Sequence, residues 1–230
     1  MSDNKITKEE IARGYDELAD HMADGGLAYS FYNKVATFSR PYRGHILDVG
    51  CGSGILLQRA GRLADAGTKF YGLDISPKLC DLTRANNPEA EVSCGDAEDM
   101  SYDDNKFDMV LMTEALEHML DYNKSLSEVR RVLKPGGKFI VTVPNRDWLR
   151  YDFYDKIRNK ELQPVDDHYF RFEEIKSYLE NNSFGIEKIR GLDNLYYYGW
   201  KHNIEEAAAF FLPFLHKKMK RLLFRCINQK

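Results

Sequence analysis

The sequence predicts an α/β fold in which a mostly parallel sheet is doubly wound, with helices on both of its faces. Two observations support this prediction. Short apolar runs alternate with segments of helical length and character along residues 44–143. The run Phe107–Thr113 is apolar along nearly its whole length, which is typical of a strand that is covered on both faces.

The predicted elements follow one another in the order that this fold requires. Ser76 is a favourable N-cap and Pro77 suits the first helical position, so a helix begins there. Gly67 and Pro144 end the elements that precede them. The predicted strands cover residues 44–49, 69–74, 91–94, 107–113 and 138–143. The predicted helices cover residues 8–23, 55–66, 77–87 and 123–133, and another begins near residue 172.

Length and composition indicate one compact domain over residues 1–230. The formal net charge is −3, so no general basic field attracts nucleic acid, and we expect no nucleic-acid partner. The four cysteines form no C-x-x-C pair, and the polar residues 1–10 do not resemble a signal peptide. The apolar run at residues 207–215 is too short to span a bilayer. We therefore expect a cytoplasmic protein with reduced thiols.

A glycine-rich turn follows the first predicted strand. Gly50, Gly52 and Gly54 are spaced two apart, and glycine allows a backbone to approach a ligand closely. The second strand ends at Asp74, an acid suited to a ribose diol. The dinucleotide pattern G-x-G-x-x-G would need a third glycine at position 55, where this chain has Ile55. The sequence therefore predicts a nucleoside site of another kind.

The stretch from Asp48 to Gly54, D-x-G-x-G-x-G, resembles motif I of the class I S-adenosylmethionine (SAM)-dependent methyltransferases. The segments Gly95–Met100 and Arg131–Asn145 are similar to later motifs of the same family. The resemblance implies a Rossmann-like, seven-stranded sheet. It also implies an N-terminal helical lid (1–40), a SAM-binding core (41–145), and acceptor-side elements with a C-terminal helix (146–230).

The family's cofactor contacts can be carried over position by position. The resemblance implies that Asp74 holds the ribose, that Asp96 meets the adenine amino group, and that Tyr15 touches the cofactor from the lid. Each residue also has an alternative interpretation. Asp74 could be an acid that complements a helix N-terminus, and Asp96 could form an Asx-turn. Tyr15 could be an aromatic residue on the apolar face of a helix. The implied SAM-binding residues are Tyr15, Asp48, Gly50, Cys51, Gly52, Gly54, Asp74, Ile75, Asp96, Ala97 and Thr113.

The segment after the fourth strand carries candidate catalytic groups. If a helix begins here, Glu114, Glu117 and His118 share one face, and with His168 they could bind a divalent cation. The E-x-x-E-H pattern with the later histidine is similar to small-RNA ribose 2′-O-methyltransferases, and E-x-x-E-H alone also resembles ubiquinone-biosynthesis O-methyltransferases. Otherwise His118 lines the acceptor pocket, as a base without metal, or has a structural role. His118 and His168 are the candidate catalytic residues.

The last third of the chain departs from the shared core. Aromatic residues at 148–154 and 195–200 suit a flat or apolar acceptor, or simply pack on the core. Residues 207–230 combine large apolar side chains with basic ones, which predicts a helix. Such a helix could pack over the pocket, form a homodimer contact or lie on an anionic membrane.

The sequence as a whole predicts a SAM-dependent methyltransferase that acts on a small-molecule acceptor, most simply at an oxygen. Two alternatives stay open. One is a metal-assisted ribose 2′-O-methyltransferase acting on small RNA. The other is a SAM- or nucleoside-binding partner protein without catalysis.

Overall fold

The computed structural model describes residues 6–22, 29–148, 164, 168–192 and 221–230. Its helices are α1 (Lys8–Met22), α2 (Tyr29–Ser39), α3 (Ile55–Gly61), α4 (Pro77–Asn86), α5 (Tyr122–Val132) and α6 (Phe172–Asn181), with a 3-10 turn at Leu116–His118. Its strands are β1 (His45–Val49), β2 (Lys69–Asp74), β3 (Glu91–Cys94), β4 (Phe107–Thr113), β5 (Leu133–Pro144), β6 (Phe184–Leu192) and β7 (Arg221–Asn228).

The strands form one seven-stranded sheet in the order β3-β2-β1-β4-β5-β7-β6. The pairs from β3 through β5 are parallel, whereas β7 runs antiparallel to both β5 and β6. The order reverses between β1 and β4, so the chain leaves these two strands in opposite directions. A crevice opens at such a point, outside the carboxyl ends of the strands. The predicted doubly wound, mostly parallel fold is confirmed.

The sheet separates two apolar layers, and β4 contributes to both. Val110 and Met112 belong to one buried cluster, and Met109 and Leu111 belong to the other. This alternation explains why the β4 sequence is almost continuously apolar, since each face of the strand is covered. The central strands are therefore held rigidly from both sides, which fixes the positions of the loops that leave their carboxyl ends.

The predicted C-terminal helix is wrong for residues 221–228. These residues form β7, which lies between β5 and β6. Leu222, Leu223 and Phe224 are completely buried in the sheet. A run of large apolar residues with basic residues suits a helix or a two-sided strand, and here the need to fill the sheet decides the outcome. Residues 207–220 lie outside the described residues, so the predicted membrane or dimer contact there stays a prediction.

Two other boundaries differ from expectation. Helix α3 ends at Gly61, well before Gly67, because the chain turns and Ala64 forms a bridge with Tyr42. Strand β5 begins at Leu133, directly after α5. Among the helices that the structure describes, none combines the length and hydrophobicity needed to cross a membrane.

Candidate functional site

A cavity of about 320 Å³ lies at the carboxyl edge of the sheet. Its walls come from the loops after β1, β3 and β4 and from the ends of β2, β5 and β7, while α1 and α2 provide further side chains. This is the position that the strand order favours for a ligand. The residues implied as a cofactor site that line it are Tyr15, Gly50, Gly52, Asp74, Ile75, Asp96 and Ala97.

The glycine loop presents bare backbone to the cavity. Gly50 and Gly52 both have positive φ, at 69° and 54°. A Cβ atom added to Gly50 would lie 2.6 Å from the Cβ of Ala115, which is far inside van der Waals contact. The N–H groups of Gly50 and Cys51 both donate to the carbonyl of Leu73. Glycine at position 50 is thus required twice, by the backbone conformation and by the wall opposite.

Helix α4 anchors this loop from below. The Thr83 hydroxyl donates to the carbonyl of Gly52 at 2.6 Å, and Asn87 Nδ2 donates to the carbonyl of Gly54 at 3.1 Å. A Cβ on Gly54 would fall 2.2 Å from Asn87 Nδ2, so Gly54 serves this anchoring. Buried Cys51 packs against the same helix, with its thiol 3.7 Å from the Thr83 hydroxyl. Neither Gly54 nor Cys51 lines the cavity.

Asp74 ends β2 and is held by backbone donors. The N–H of Gly52 donates to Oδ2 at 2.9 Å, and the N–H of Ser76 donates to Oδ1 at 3.0 Å. Burial raises the pKa of Asp74, and these N–H groups partly oppose the rise. Each carboxylate oxygen can accept more than one hydrogen bond, so a ligand diol can still bind. The predicted N-cap is confirmed, because the Ser76 hydroxyl accepts from Leu79 N–H.

Asp48 and Thr113 do not line the cavity. Asp48 is almost completely buried, and burial raises its pKa well above the usual range, with the nearby charge of Asp74 adding to the rise. The Thr113 hydroxyl is also buried, and no hydrogen-bond partner among the described residues reaches it. Direct contact of these two side chains with a cofactor is therefore not supported by their positions.

The segment after β3 forms one end of the cavity. Asp96 Oδ1 accepts from the N–H of Glu98 at 2.9 Å and from Lys8 Nζ at 3.2 Å. Lys8 also binds the carboxylate of Glu98, which is nearly buried. Both of these hydrogen bonds use Oδ1 of Asp96, and the backbone of Ala97 follows directly along the chain. Sequence reasoning missed Lys8, since nothing local to residues 1–10 indicates that it reaches the loop after β3.

Helix α1, part of the segment predicted to be a lid, forms part of the cavity wall. Ile11 and Tyr15 line it, and Tyr15 contacts His118 edge-on, with 5.8 Å between ring centroids. The carboxylate of Asp16 accepts from the hydroxyl of Ser76 and from the N–H of Lys78. An acid at the start of α4 also complements the helix dipole. The lid is thus fastened to the element that anchors the glycine loop. Phe31 and Tyr32 of α2 complete the apolar side of the cavity.

The other end of the cavity lies after β4. Glu114 has a left-handed conformation, with φ of 50°. Its N–H donates to the Thr142 hydroxyl at 3.0 Å, and that hydroxyl donates back to Glu114 Oε1 at 2.9 Å. Glu114 Oε2 accepts from Nε of Arg221, the first residue of β7. Sequence reasoning missed Arg221, because the segment containing it was expected to be a helix.

The predicted four-residue metal site is not supported. A 3-10 turn at Leu116–His118 replaces the expected helix, so Glu114, Glu117 and His118 do not form one helical face. Glu114 is held by Arg221, and His168 Nε2 is hydrogen-bonded to Glu174 Oε1 at 2.8 Å. Within the described ranges, no three His, Cys, Asp or Glu side chains come together as metal ligands.

The two candidate catalytic histidines lie in different surroundings. His118 lines the cavity beside buried Glu117. His168 does not line it; its ring packs against Phe170, with 4.5 Å between centroids, and contacts Tyr122. The backbone N–H of His168 donates to the carbonyl of Glu117 at 3.5 Å, so this residue supports the turn that carries His118. Of the two, the geometry supports only His118 as a group that can reach an acceptor.

Comparisons with known proteins agree with this geometry. A family model described as a methyltransferase domain matches residues 47–141. A demethylmenaquinone methyltransferase of Symbiobacterium thermophilum is 36% identical over 157 residues, which cover 64% of this chain and 62% of that protein. A ubiquinone biosynthesis O-methyltransferase of Coxiella burnetii is 30% identical over 165 residues, which cover 66% of this chain and 68% of that protein.

The solved structures extend the likeness across the fold. A SAM-dependent methyltransferase from Thermotoga maritima superposes with a TM-score of 0.70 at 18% identity, covering 95% of this chain and 99% of that one. At this identity the likeness concerns the fold alone. The match to the Symbiobacterium protein spans less than two thirds of that protein's own length, at 62%.

Proposed function

The chain belongs to the class I SAM-dependent methyltransferases, and we propose that it transfers a methyl group from SAM to an oxygen of a small-molecule acceptor. One observation carries the proposal. A single cavity contains the bare backbone of the glycine loop, the acids Asp74 and Asp96, and the imidazole of His118. Donor and acceptor could therefore be held together away from water, which is most of what methyl transfer requires.

The residues present fit SAM. The glycine loop can accommodate the amino-acid part, because Gly50 and Gly52 line the cavity without side chains. Asp74 is fixed by backbone donors and can accept from the ribose hydroxyls. Asp96 and Ala97 lie where the adenine ring would be recognised. SAM supplies a methyl group on a sulfonium cation, which an acceptor oxygen can attack directly.

Two features support an oxygen acceptor on a ring. The imidazole of His118 lies in the cavity, and imidazole is the commonest general base for removing a hydroxyl proton. Ile11, Phe31 and Tyr32 give the cavity an apolar side that suits a flat ring and excludes water. One relative is named as an O-methyltransferase of ubiquinone biosynthesis, and another is named for demethylmenaquinone. A hydroxylated, quinone-related ring is thus the acceptor class we propose.

Cofactor binding is tested by titration calorimetry with SAM and with its demethylated product, S-adenosylhomocysteine. We expect both to bind in a one-to-one ratio. The absence of measurable affinity for either would refute the proposal at its first step.

Methyl transfer is tested with labelled SAM and hydroxylated ring compounds. We expect His118→Gln to keep SAM affinity and to lower turnover by about 100-fold or more, since general-base catalysis contributes about 10²–10⁴-fold. We also expect the wild-type pH–rate profile to show an ionisation on its acidic side, and we expect this variant to lose it. An unchanged pH profile would exclude His118 as the base.

A further inference from the structure

Arg221 lies at the end of the cavity opposite to Asp96. It is the first residue of β7 and pairs in register with Pro144, the last residue of β5. Arg221 and Pro144 both line the cavity. Asp96 follows β3, at the other edge of the strand order β3-β2-β1-β4-β5-β7-β6. A SAM molecule with its adenine at Asp96 would therefore leave the Arg221 end for the acceptor.

The guanidinium of Arg221 is held on one side only. Its Nε donates to Glu114 Oε2, and the other oxygen of Glu114 is bound by the Thr142 hydroxyl. The Arg221 side chain is 13% exposed, and its Nη1 is buried with no hydrogen-bond partner in the part of the chain that the structure describes. Leaving a charged, buried donor without a partner is unfavourable, so a bound ligand that supplies an oxygen would be favoured.

The positive charge of Arg221 is already paired with a carboxylate. Glu114 carries the negative charge that pairs with Arg221. Burial opposes ionisation of the guanidinium, but Glu114, and beyond it Tyr169 and Glu117, raise the pKa of Arg221, so it stays charged. The carboxylates of Glu114 and Glu117 would repel an anionic ligand, and the guanidinium would repel a cationic one. A neutral oxygen that accepts a hydrogen bond is the group that fits Nη1.

We infer that Arg221 is a specificity-determining residue, which selects acceptors that carry a neutral hydrogen-bond-accepting oxygen, such as a ring carbonyl, besides the hydroxyl that is methylated. Glu114 is the positioning residue, because its carboxylate fixes the guanidinium through Nε and leaves Nη1 without a hydrogen-bond partner among the described residues. The inference rests on the proposed function, since it assigns the acceptor class of the same cavity.

The test compares matched acceptors that differ by one oxygen. The probes are the three hydroxyacetophenone isomers and the three corresponding ethylphenols, in which a methylene replaces the carbonyl. Methyl transfer from labelled SAM gives kcat/KM for each probe. For each isomer we compare kcat/KM of the hydroxyacetophenone with kcat/KM of the matching ethylphenol on one enzyme preparation. This ratio does not depend on how much of the protein is active, so a general loss of stability leaves it unchanged.

Two variants remove the donor in different ways. Glu114→Gln with Arg221→Met removes it while leaving no uncompensated charge. Arg221→Lys keeps the positive charge but loses the planar guanidinium with its several N–H donors. It serves as the test if the double variant does not fold. The control is Arg225→Met, on the same strand, whose guanidinium binds the carbonyl of Phe38 away from the cavity. SAM affinity is measured for every protein by calorimetry.

We expect the wild-type enzyme and Arg225→Met to favour at least one hydroxyacetophenone over its ethylphenol by about 10-fold or more, because a site built to bind an oxygen rejects the analogue without it. Both Arg221 variants should reduce that ratio to about threefold or less, with SAM affinity unchanged. An equal loss on both probes would make Arg221 merely structural and overturn the inference. So would SAM binding without turnover of any hydroxyacetophenone, whereas a failure to bind SAM would refute the proposed function itself.

Discussion

Substituting Gly50 with alanine should damage the cofactor site in two separable ways. The residue has φ of 69°, a conformation that costs a residue with a Cβ roughly 1–2 kcal/mol. The new Cβ would also lie 2.6 Å from the Cβ of Ala115, and overpacking of this kind costs about 1–3 kcal/mol. Together these terms predict a loss of about 2–5 kcal/mol in the free energy of unfolding.

Two further variants separate the terms. Gly136 has φ of 72°, and a Cβ there would meet nothing within 4 Å. Gly136→Ala should therefore show only the conformational cost, about 1–2 kcal/mol, and bind SAM normally. Adding Ala115→Gly to Gly50→Ala removes the atom that clashes. The double variant should recover the steric term, so the two substitutions couple by about 1–3 kcal/mol in a double-mutant cycle.

Urea denaturation gives the unfolding free energies, and calorimetry gives the SAM affinities. We expect Gly50→Ala to weaken SAM binding by about 10-fold or more, because the backbone can relieve the clash only by moving the loop that forms the site. If Gly50→Ala is no less stable than Gly136→Ala, or if Ala115→Gly gives no recovery, the close contact between the glycine loop and Ala115 is not what requires glycine here.

Three other changes have expected outcomes. Asp74→Asn should raise the dissociation constant of SAM by about 10-fold or more, because the amide N–H₂ cannot accept a hydrogen bond from the backbone donors or from a ribose hydroxyl. A dissociation constant within about twofold of wild type, measured by calorimetry, would exclude the ribose role. Burial raises the folded-state pKa of Asp48 above its unfolded value of about 3.9, so the folded protein holds an extra proton and its stability falls as pH rises above that value. Asp48→Asn should remove this fall, as measured by urea titrations between about pH 4 and 7. Parallel stability profiles for the variant and the wild type would contradict the prediction. Glu174→Gln removes the charge from a partly exposed contact with His168, so it should cost less than about 1 kcal/mol of stability and leave turnover within about twofold, with or without EDTA. A large fall in turnover, measured with labelled SAM, would indicate that His168 takes part in catalysis.

The gathering of candidate cofactor residues around one cavity could be predicted, because the signals for it are local. The glycine turn, the acid at the end of the next strand and the segment around Asp96 each lie at the carboxyl end of a predicted parallel strand. Strands of this kind bring their carboxyl ends to the same edge, so residues far apart in sequence can be placed together. Of the implied contacts, Asp48, Cys51, Gly54 and Thr113 do not line the cavity. Cys51 and Gly54 instead contact Thr83 and Asn87, which anchor the loop.

The surroundings of Glu114 and Arg221, where we propose that the acceptor binds, could not be predicted, because their contacts are not local. Arg221 and Glu114 are separated by 107 positions, and only the antiparallel insertion of β7 beside β5 joins them. The left-handed backbone of Glu114 also has no sequence signal, since such a conformation is rare outside glycine. The sequence therefore favours a helix over residues 114–118, with Glu114, Glu117 and His118 on one face. The structure has a 3-10 turn there instead, so the three residues do not share a helical face.

The central claim is that one cavity holds SAM between Asp96 and Arg221. A crystal structure of the complex with S-adenosylhomocysteine tests it most directly. The account predicts adenine beside Asp96 and Ala97 and ribose hydroxyls within hydrogen-bonding distance of Asp74. It also predicts a sulfur atom that faces the space lined by His118 and Arg221. A ligand bound elsewhere, or a sulfur atom directed away from that space, would contradict it.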